Sequence, residues 1–270
     1  MVRLVFAART DVGMIRSGNE DNFAVDANGA RGVFIVADGM GGHAAGEVAS
    51  EMAVQIVIRE LKKVSDSAAV SDGTASKALA ESLKLANRAI HDRTITEVDK
   101  QGMGTTASVL VLADSRYVIG QVGDSRVYLL RNGALSQLTK DHSYVQEQVD
   151  LGNLTPEQAR YHPYSNVITR CVGASPEVEP DLYHGEAKTG DIFLIASDGL
   201  TGMVDDRRLA QLLMSRAEPD RKVQSLIAEA NGRGGLDNIT AIVVQVEEAE
   251  PPRDTPTGEM SAIPIPKTGE

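Results

Sequence analysis

Four aspartates in this sequence each lie beside a short apolar run of the kind that predicts a β-strand. Asp38, Asp124 and Asp198 follow such runs, and Asp237 precedes one. A single Asp-Gly pair would indicate only a turn. Acids at the ends of several strands, however, would repel one another if the fold brought them together, unless a cation held them. Hard divalent ions, Mg²⁺ or Mn²⁺, are the usual partners of such carboxylate oxygens.

Paired divalent ions would give these acids a hydrolytic function. Two ions about 3.5–4 Å apart, bridged by a carboxylate, can generate a hydroxide and stabilise both the attacking and the leaving oxygen. Asp38 is the bridging candidate, because the glycines after it would let the Gly39 carbonyl serve as a further ligand. Arg16 is the candidate cation for an anionic substrate, since a guanidinium binds two phosphate oxygens in a fork. A phosphate ester fits this combination.

The elements that must position these residues alternate between groups of strands and groups of helices. The predicted strands are 4–8, 23–26, 33–36, 107–112, 117–122, 127–130, 135–138, the run from 191 that leads into Asp198, and 239–246. Helical spacing of apolar residues predicts helices at 46–64, 77–97, 141–151, 205–214 and 221–230, with a further helix start at Pro156. The close spacing of the strands implies antiparallel connections. The pattern therefore predicts an α+β sandwich over antiparallel sheets.

Two further segments differ in composition from the rest of the chain. Residues 153–179 are mostly irregular, which suggests a mobile flap that faces the substrate. Residues 248–270 are rich in Pro, Glu, Thr and Gly, and we expect a disordered tail after a single domain at 1–247.

Composition excludes several classes of protein. A formal net charge of −11 gives no basic groove for nucleic acid. Cys171 is the only cysteine, so an internal disulfide and a cysteine metal cluster are both excluded, and a packing role is expected for it. No stretch has the roughly 20 apolar residues of a membrane span, and the N-terminus lacks the apolar core of a signal peptide. A cytoplasmic location is expected.

Six short motifs follow one another along the chain. They are Arg16-Ser17-Gly18-Asn19-Glu20-Asp21, Val36-Ala37-Asp38-Gly39-Met40-Gly41-Gly42, Gly104-Thr105-Thr106, Gly123-Asp124-Ser125-Arg126, Ala196-Ser197-Asp198-Gly199-Leu200 and Asp237-Asn238-Ile239-Thr240. In type and order they resemble the motifs of the metal-dependent protein serine/threonine phosphatases of the PPM (type 2C) family, bacterial branch. The resemblance covers roughly residues 5–246.

The resemblance implies a four-layer αββα fold, in which helices flank two central antiparallel sheets. It implies Mn²⁺ or Mg²⁺ as cofactor, with two core ions and a weaker third, and a metal-activated water that attacks phosphorus without a phosphoenzyme. Asp38 would bridge the core ions, and the Gly39 carbonyl, Asp198 and Asp237 would complete the protein ligands. The expected partners are phosphorylated proteins, among them a Ser/Thr kinase and its substrates, and a monomer is expected.

The remaining site residues have less direct roles in the resemblance. Glu20 and Asp21 would act through metal-bound waters, and Arg16 would hold the phosphate. Asp124 with Asp198 would form the third-metal site. Residues 153–179 would correspond to the flap of the bacterial members.

One departure concerns the proton that the leaving group needs. Several eukaryotic members have a histidine directly after Asp-Gly, whereas this chain has Met40, which cannot donate a proton. His43 is three residues further on and is interpreted as a structural residue. Protonation of the leaving group is therefore unassigned, with water on a third metal as one option.

Three alternative functions fit parts of the pattern. A phosphatase of an anti-sigma-antagonist protein would use the same metals, so the motifs cannot separate it from a general phosphoprotein phosphatase. A non-catalytic phosphoprotein-binding module is disfavoured by the intact Asp38, Asp198, Asp237 and Arg16. A magnesium-dependent nuclease conflicts with the net charge.

Overall fold

The computed structural model describes residues 2–41, 45–65, 72–113 and 115–249. The strands are β1 (Val2–Asp11), β2 (Asp21–Asn28), β3 (Arg31–Met40), β4 (Gly104–Thr105), β5 (Ala107–Ala113), β6 (Arg116–Val122), β7 (Arg126–Arg131), β8 (Ala134–Gln137), β9 (Asp181–Glu186), β10 (Ile192–Ala196) and β11 (Ile239–Glu248). The helices are α1 (Ala45–Ser65), α2 (Asp72–Thr96), α3 (Tyr144–Asp150), α4 (Pro156–Arg160), α5 (Asp198–Thr201), α6 (Asp206–Leu213) and α7 (Pro219–Gly232).

The strands form two sheets, and all of their pairings are antiparallel. One sheet has the order β1-β11-β10-β7-β8. The other has the order β2-β3-β5-β6-β9, with the short β4 paired to the end of β3. Short hairpins account for much of this order, as at Asn132 and Gly133 between β7 and β8, where both residues have positive φ.

Three apolar layers hold the sheets and helices together. Phe34 of β3 and Phe193 of β10 belong to the layer between the two sheets. The adjacent Ile35 belongs to a second layer, under α1 and α2, and Leu194 to a third, under α6 and α7. Neighbouring residues of a strand thus bury opposite faces, which explains why the central strands are continuous apolar runs. The predicted αββα sandwich is confirmed.

Several element boundaries differ from the sequence prediction. β3 does not stop at Asp38 but continues to Met40, because β4 pairs with Gly39 and Met40. α2 begins at Asp72, whereas the apolar pattern predicts a start at residue 77. No strand is expected at 181–186, yet β9 forms there because β6 offers it a full hydrogen-bonding edge. Asp198 starts the short helix α5.

The predicted domain boundary falls inside the last strand. β11 includes Glu248, the first residue assigned to the tail from sequence. Residues 250–270, which make up all but the first two residues of that predicted tail, lie outside the described residues, as does His43.

Candidate active site

The predicted site acids lie at one end of the sandwich. Asp21 of β2 and Asp38 of β3 are Cα partners in one sheet. In the other sheet, Asp198 follows the end of β10 and Asp237 precedes β11, two strands that pair in antiparallel register. Asp124 lies in the turn between β6 and β7, so this turn connects the two sheets at the same end.

Asp38 and Asp198 form the centre of this group. Their carboxyl groups, one from each sheet, lie within hydrogen-bonding reach of each other. Burial is the main cause that raises the pKa of Asp38 well above its usual range, and the charges of neighbouring aspartates add to it. Burial also raises the pKa of Asp198. The Asp38 N–H donates to Thr106 Oγ1 at 2.9 Å, and the Asp38 carbonyl accepts from Thr106 N at 2.8 Å, which fixes this strand end.

Asp21 is buried beside this pair, and only one of its two carboxylate oxygens has hydrogen-bond partners. Its Oδ2 lies 2.8 Å from Ser197 Oγ and 2.7 Å from Thr240 Oγ1, whereas its Oδ1 has no hydrogen-bond partner. Burial raises the pKa of Asp21 to about 7, although the two hydroxyl groups oppose the shift. The orientation of Asp21 is therefore set by a serine and a threonine from the opposite sheet.

Asp124 is a second buried acid with an unpaired oxygen. Its Oδ1 has no hydrogen-bond partner, and its side chain is buried. Burial is the largest cause that raises the pKa of Asp124 well above its usual range, followed by the charge of Asp198. Gly123 precedes it with a φ of 102°, which favours glycine because other residues rarely adopt it.

Arg16 and Asp237 meet directly, although they are 221 residues apart in sequence. Arg16 Nη2 donates to Asp237 Oδ2 at 2.6 Å, and both side chains are partly exposed. Asn238 holds the loop that carries Arg16: its side-chain amide donates to the carbonyls of Val12 and Gly18, each at 2.9 Å. The structure therefore brings the predicted phosphate-binding arginine to a predicted metal ligand.

The backbone at Gly39 is too crowded for any side chain. A Cβ there would lie 2.1 Å from the Gly46 carbonyl oxygen and 2.6 Å from that of Glu20. The Gly39 N–H donates to the Glu20 carbonyl at 3.1 Å. The Glu20 carboxylate lies against Gly46, in the first turn of α1, where the helix dipole favours an acid. Both the backbone and the carboxylate of Glu20 therefore lie beside Gly39.

The chemistry of these donors fits a divalent cation. Of the four buried side-chain polar atoms without a partner in the described part of the chain, three are carboxylate oxygens of Asp21, Asp124 and Asp198. Buried carboxylates are costly unless a positive group pairs with them. Within residues 2–41, 45–65, 72–113 and 115–249, no three acid, histidine or cysteine side chains form a ready-made cation site. Backbone carbonyls and water would thus have to complete the coordination of an ion.

The predicted flap contacts the site through Cys171 and Val172. The N–H of Thr105 donates to the carbonyl of Val172 at 3.0 Å, and Thr105 Oγ1 donates to the Asp38 carbonyl at 2.9 Å. Cys171 Sγ and the Met40 side chain both lie near Gly104. His91, which looks like a surface residue from sequence, is half-buried, and its ring Nδ1 lies 3.2 Å from the Gly173 carbonyl oxygen.

Sequence reasoning missed the residues that orient the acids. These are Thr106, Ser125, Ser197, Asn238 and Thr240. All five lie inside the quoted motifs, but nothing in their types distinguishes them from turn residues. Their role follows only from contacts between segments, such as the 2.7 Å contact between Thr106 Oγ1 and Ser125 Oγ. For Ser125, Ser197, Asn238 and Thr240 the available signal was an aspartate in the same motif, and for Thr106 it was the Gly104-Thr105-Thr106 motif alone.

The chain is similar to known proteins over most of its length. The family model described as "Protein phosphatase 2C" matches residues 15–230. The chain belongs to the protein phosphatase 2C family. The resemblance inferred from the motifs is therefore confirmed, and so is the sandwich fold that it implied.

Named relatives of this phosphatase family align over most of the chain. "Serine/threonine phosphatase stp" of Listeria monocytogenes is 40% identical over 247 residues, which are 91% of this chain and 97% of the relative. "Serine/threonine protein phosphatase PstP" of Mycobacterium tuberculosis is 42% identical over 90% of this chain and 45% of the relative.

Solved structures of serine/threonine phosphatases are also similar to this chain, in both fold and sequence. The crystal structure of the Mycobacterium tuberculosis serine/threonine phosphatase PstP/Ppp has a TM-score of 0.81 at 40% identity, and the match covers 91% of this chain and 100% of that one. The catalytic domain of PstP in complex with 2 manganese ions has a TM-score of 0.80 at 39% identity, over 92% of this chain and 100% of that one. Among the residues described for this family member, no helix is long and apolar enough to cross a membrane.

Proposed function

We propose that this chain is a metal-dependent phosphatase that hydrolyses phosphoserine and phosphothreonine in proteins. The observation that carries the proposal is the group of buried carboxylates at one end of the sandwich, three of them with an oxygen that no donor satisfies. The printed names of the relatives, serine/threonine phosphatases at about 40% identity over nine-tenths of the chain, support the same reaction.

Four groups would hold the two core ions, Mn²⁺ or Mg²⁺. They are the carboxylates of Asp38, Asp198 and Asp237 and the carbonyl of Gly39, with Asp38 shared between the ions. Its position opposite Asp198 supports the shared role. When bound, the ions would activate water for attack on phosphorus and neutralise the charge of the phosphate.

The other acids would support this centre. Asp21 and Glu20 would accept hydrogen bonds from ordered water next to the ions, and the unpaired Asp21 Oδ1 is available for this. Asp124, whose pKa the charge of Asp198 helps to raise, would contribute with Asp198 to a third and weaker cation site.

Arg16 would bind and orient the phosphate. Its partner Asp237 is only partly buried, so their ion pair contributes little to stability and can be exchanged for other partners. Once Asp237 binds a cation, the Arg16 guanidinium can turn its fork to two phosphate oxygens. Arg16 then holds the phosphate of the substrate next to the cluster of buried aspartates.

The proton for the leaving oxygen has no side-chain donor at the expected place. Met40, directly after Asp38-Gly39, has only a thioether and cannot donate. His142 is committed elsewhere: its Nδ1 accepts from the Gly123 N–H at 3.0 Å, and its Nε2 lies 3.2 Å from Asp181. Water is therefore the proposed donor.

Phosphate release from a phosphothreonine peptide tests the reaction. We expect release in Mn²⁺, none in excess EDTA, and recovery when Mn²⁺ is restored. The Asp38→Asn variant is the matched control, because it removes one charge and keeps the side-chain shape. Binding of the peptide without release, in folded and metal-loaded protein, would instead support the non-catalytic binding module.

We also propose that the chain acts as a monomer in the cytoplasm, on substrates of a serine/threonine kinase. The absence of a membrane-spanning helix among the described residues is compatible with that location. Phosphothreonine proteomics of cells with and without the phosphatase, together with the mass of the purified protein in solution, tests these points. Unchanged phosphothreonine sites, or a stable dimer, would contradict them.

A further inference from the structure

Three large apolar side chains are exposed next to the Arg16–Asp237 pair. Met14 and Ile15, which precede Arg16, are 66% and 68% exposed, and Leu236, which precedes Asp237, is 56% exposed. We call these three residues the apolar rim. Single exposed apolar residues are ordinary on a protein surface, but a group of them beside a binding site indicates a contact surface.

Backbone contacts on several sides fix the position of the rim. The Met14 N–H donates to the Gly235 carbonyl at 2.8 Å, so the two halves of the rim are joined directly. Gly13, with a φ of 79°, packs so closely on Asp237 that a Cβ would lie 2.2 Å from its carbonyl oxygen. The Asn238 amide clamps both ends of the loop, at Val12 and Gly18. These contacts fix the loop in a position that leaves the three rim side chains exposed to solvent.

We propose that the apolar rim binds an apolar side chain next to the phosphorylated residue of an extended substrate segment. This inference rests on the proposed phosphatase function and specifies its substrate class. Consecutive Cα atoms of a peptide are 3.80 Å apart. A phosphate held by Arg16 therefore places the neighbouring substrate residues within reach of Ile15 and Leu236, each adjacent in sequence to the Arg16–Asp237 pair.

Charge supports an apolar occupant over an acidic one. The net charge of the chain is −11, and Asp11 adds a carboxylate at the start of the loop that carries Met14 and Ile15, whereas the cation of Arg16 beside the rim is occupied by Asp237 or by the phosphate. An acidic residue next to the phosphate would meet like charge there, whereas an apolar residue would bury its surface against the rim. Selection for apolar neighbours and against acidic ones is the expected pattern.

Matched peptides test the proposal. Three phosphothreonine peptides carry Leu, Ser or Asp on both sides of the phosphorylated residue, and kcat/KM for each is divided by kcat/KM for a small phosphomonoester. We expect the Leu peptide to exceed the Ser peptide by about 5- to 10-fold, mainly through KM, since one partly buried leucine accounts for a ratio of that order. In the variant that combines Met14→Ser, Ile15→Ser and Leu236→Ser, the ratio of kcat/KM for the Leu peptide to that for the Ser peptide should fall close to one.

Met214→Ser is the matched control variant. Met214 is 49% exposed and lies near Gly133, at the end of β7 away from Asp124. It should keep the Leu-to-Ser ratio of the unmodified protein. Equal rates on all three peptides, or an unchanged ratio in the triple variant, would overturn the rim proposal alone. No hydrolysis of either the peptides or the small ester in Mn²⁺ would overturn the proposed function, and the rim proposal with it.

Discussion

Arg16 Nη2 donates to Asp237 Oδ2 at 2.6 Å, which joins the candidate phosphate-binding side chain to a candidate metal ligand. Each residue is the other's charge partner in this structure, and both are accessible to solvent. Cation binding at Asp237 and phosphate binding at Arg16 would therefore both require this pair to open, so the two events should favour each other.

Replacement of Arg16 tests its role in substrate binding. We expect Arg16→Ala to lower kcat/KM for a phosphopeptide by about 10- to 100-fold, because a charge-assisted contact with phosphate is lost. Arg16→Lys should recover only part of the loss, since an ammonium group cannot form the fork. The affinity for Mn²⁺, measured by calorimetry, should not decrease. Unchanged kcat/KM in Arg16→Ala would contradict this assignment.

Replacement of Asp38 tests the shared ligand. Asp38→Ala should reduce phosphate release by roughly three orders of magnitude or more, because both core ions lose a ligand. The metal-free variant should be at least as stable as the unmodified protein, since one of several mutually repelling buried acids is gone. Kinetics and chemical denaturation in EDTA measure the two effects. Full activity in the variant would exclude Asp38 as the shared ligand.

Replacement of Asp124 separates the third cation site from the core. Asp124→Ala should lower turnover by about 10- to 100-fold, the range found when groups that support a metal centre are lost. Two ions should remain tightly bound, because the core ligands are unchanged. Metal content after gel filtration gives the count, and a value below two would show that Asp124 belongs to the core.

The stability of the metal-free protein should depend on pH through Asp21. Its pKa is raised from 3.8 to about 7 in the folded state, so the folded state holds a proton that the unfolded chain releases. The contribution of Asp21 to the free energy of unfolding should therefore fall as pH rises from 4 to 7, by an amount of the order of 4 kcal/mol at 1.36 kcal/mol per pH unit.

Denaturant titrations in EDTA between pH 4 and 7 measure the slope of the free energy of unfolding against pH. Asp21→Asn should make the slope less steep, because the substituted side chain does not titrate, and the raised pKa values of Asp38, Asp124 and Asp198 should account for the slope that remains. Saturating Mn²⁺ should also reduce it, since a bound cation stabilises the ionised acids. A slope of the same size in Asp21→Asn would assign the effect to other groups.

The central part of the fold was predictable because its sequence pattern has a single physical solution. Residues 33–36 are apolar at every position, and such a run of β-branched and aromatic residues is stable as a strand buried on both faces. The Thr155 helix start was equally clear: Thr155 and Gln158 form the capping box that begins α4. In both cases the residues of the segment itself were sufficient to predict its secondary structure.

The errors arose where a distant partner decides the local structure. β9 alternates half-buried and exposed residues with few apolar side chains, so β6 supplies the hydrogen bonds that make it a strand. The extension of β3 past Asp38 likewise depends on Gly104 and Thr105, more than 60 residues later.

By itself, the sequence determined which acids lie at the ends of strands, the order of its motifs and the family to which it belongs, because residue types and spacing are properties of the chain. Only the tertiary structure decided how those acids are oriented: Ser197 and Thr240 reach Asp21 from the opposite sheet, and Arg16 meets Asp237. Hydrogen bonds and ion pairs depend on distances of a few ångströms between segments that are far apart in sequence, and packing of the two sheets sets those distances.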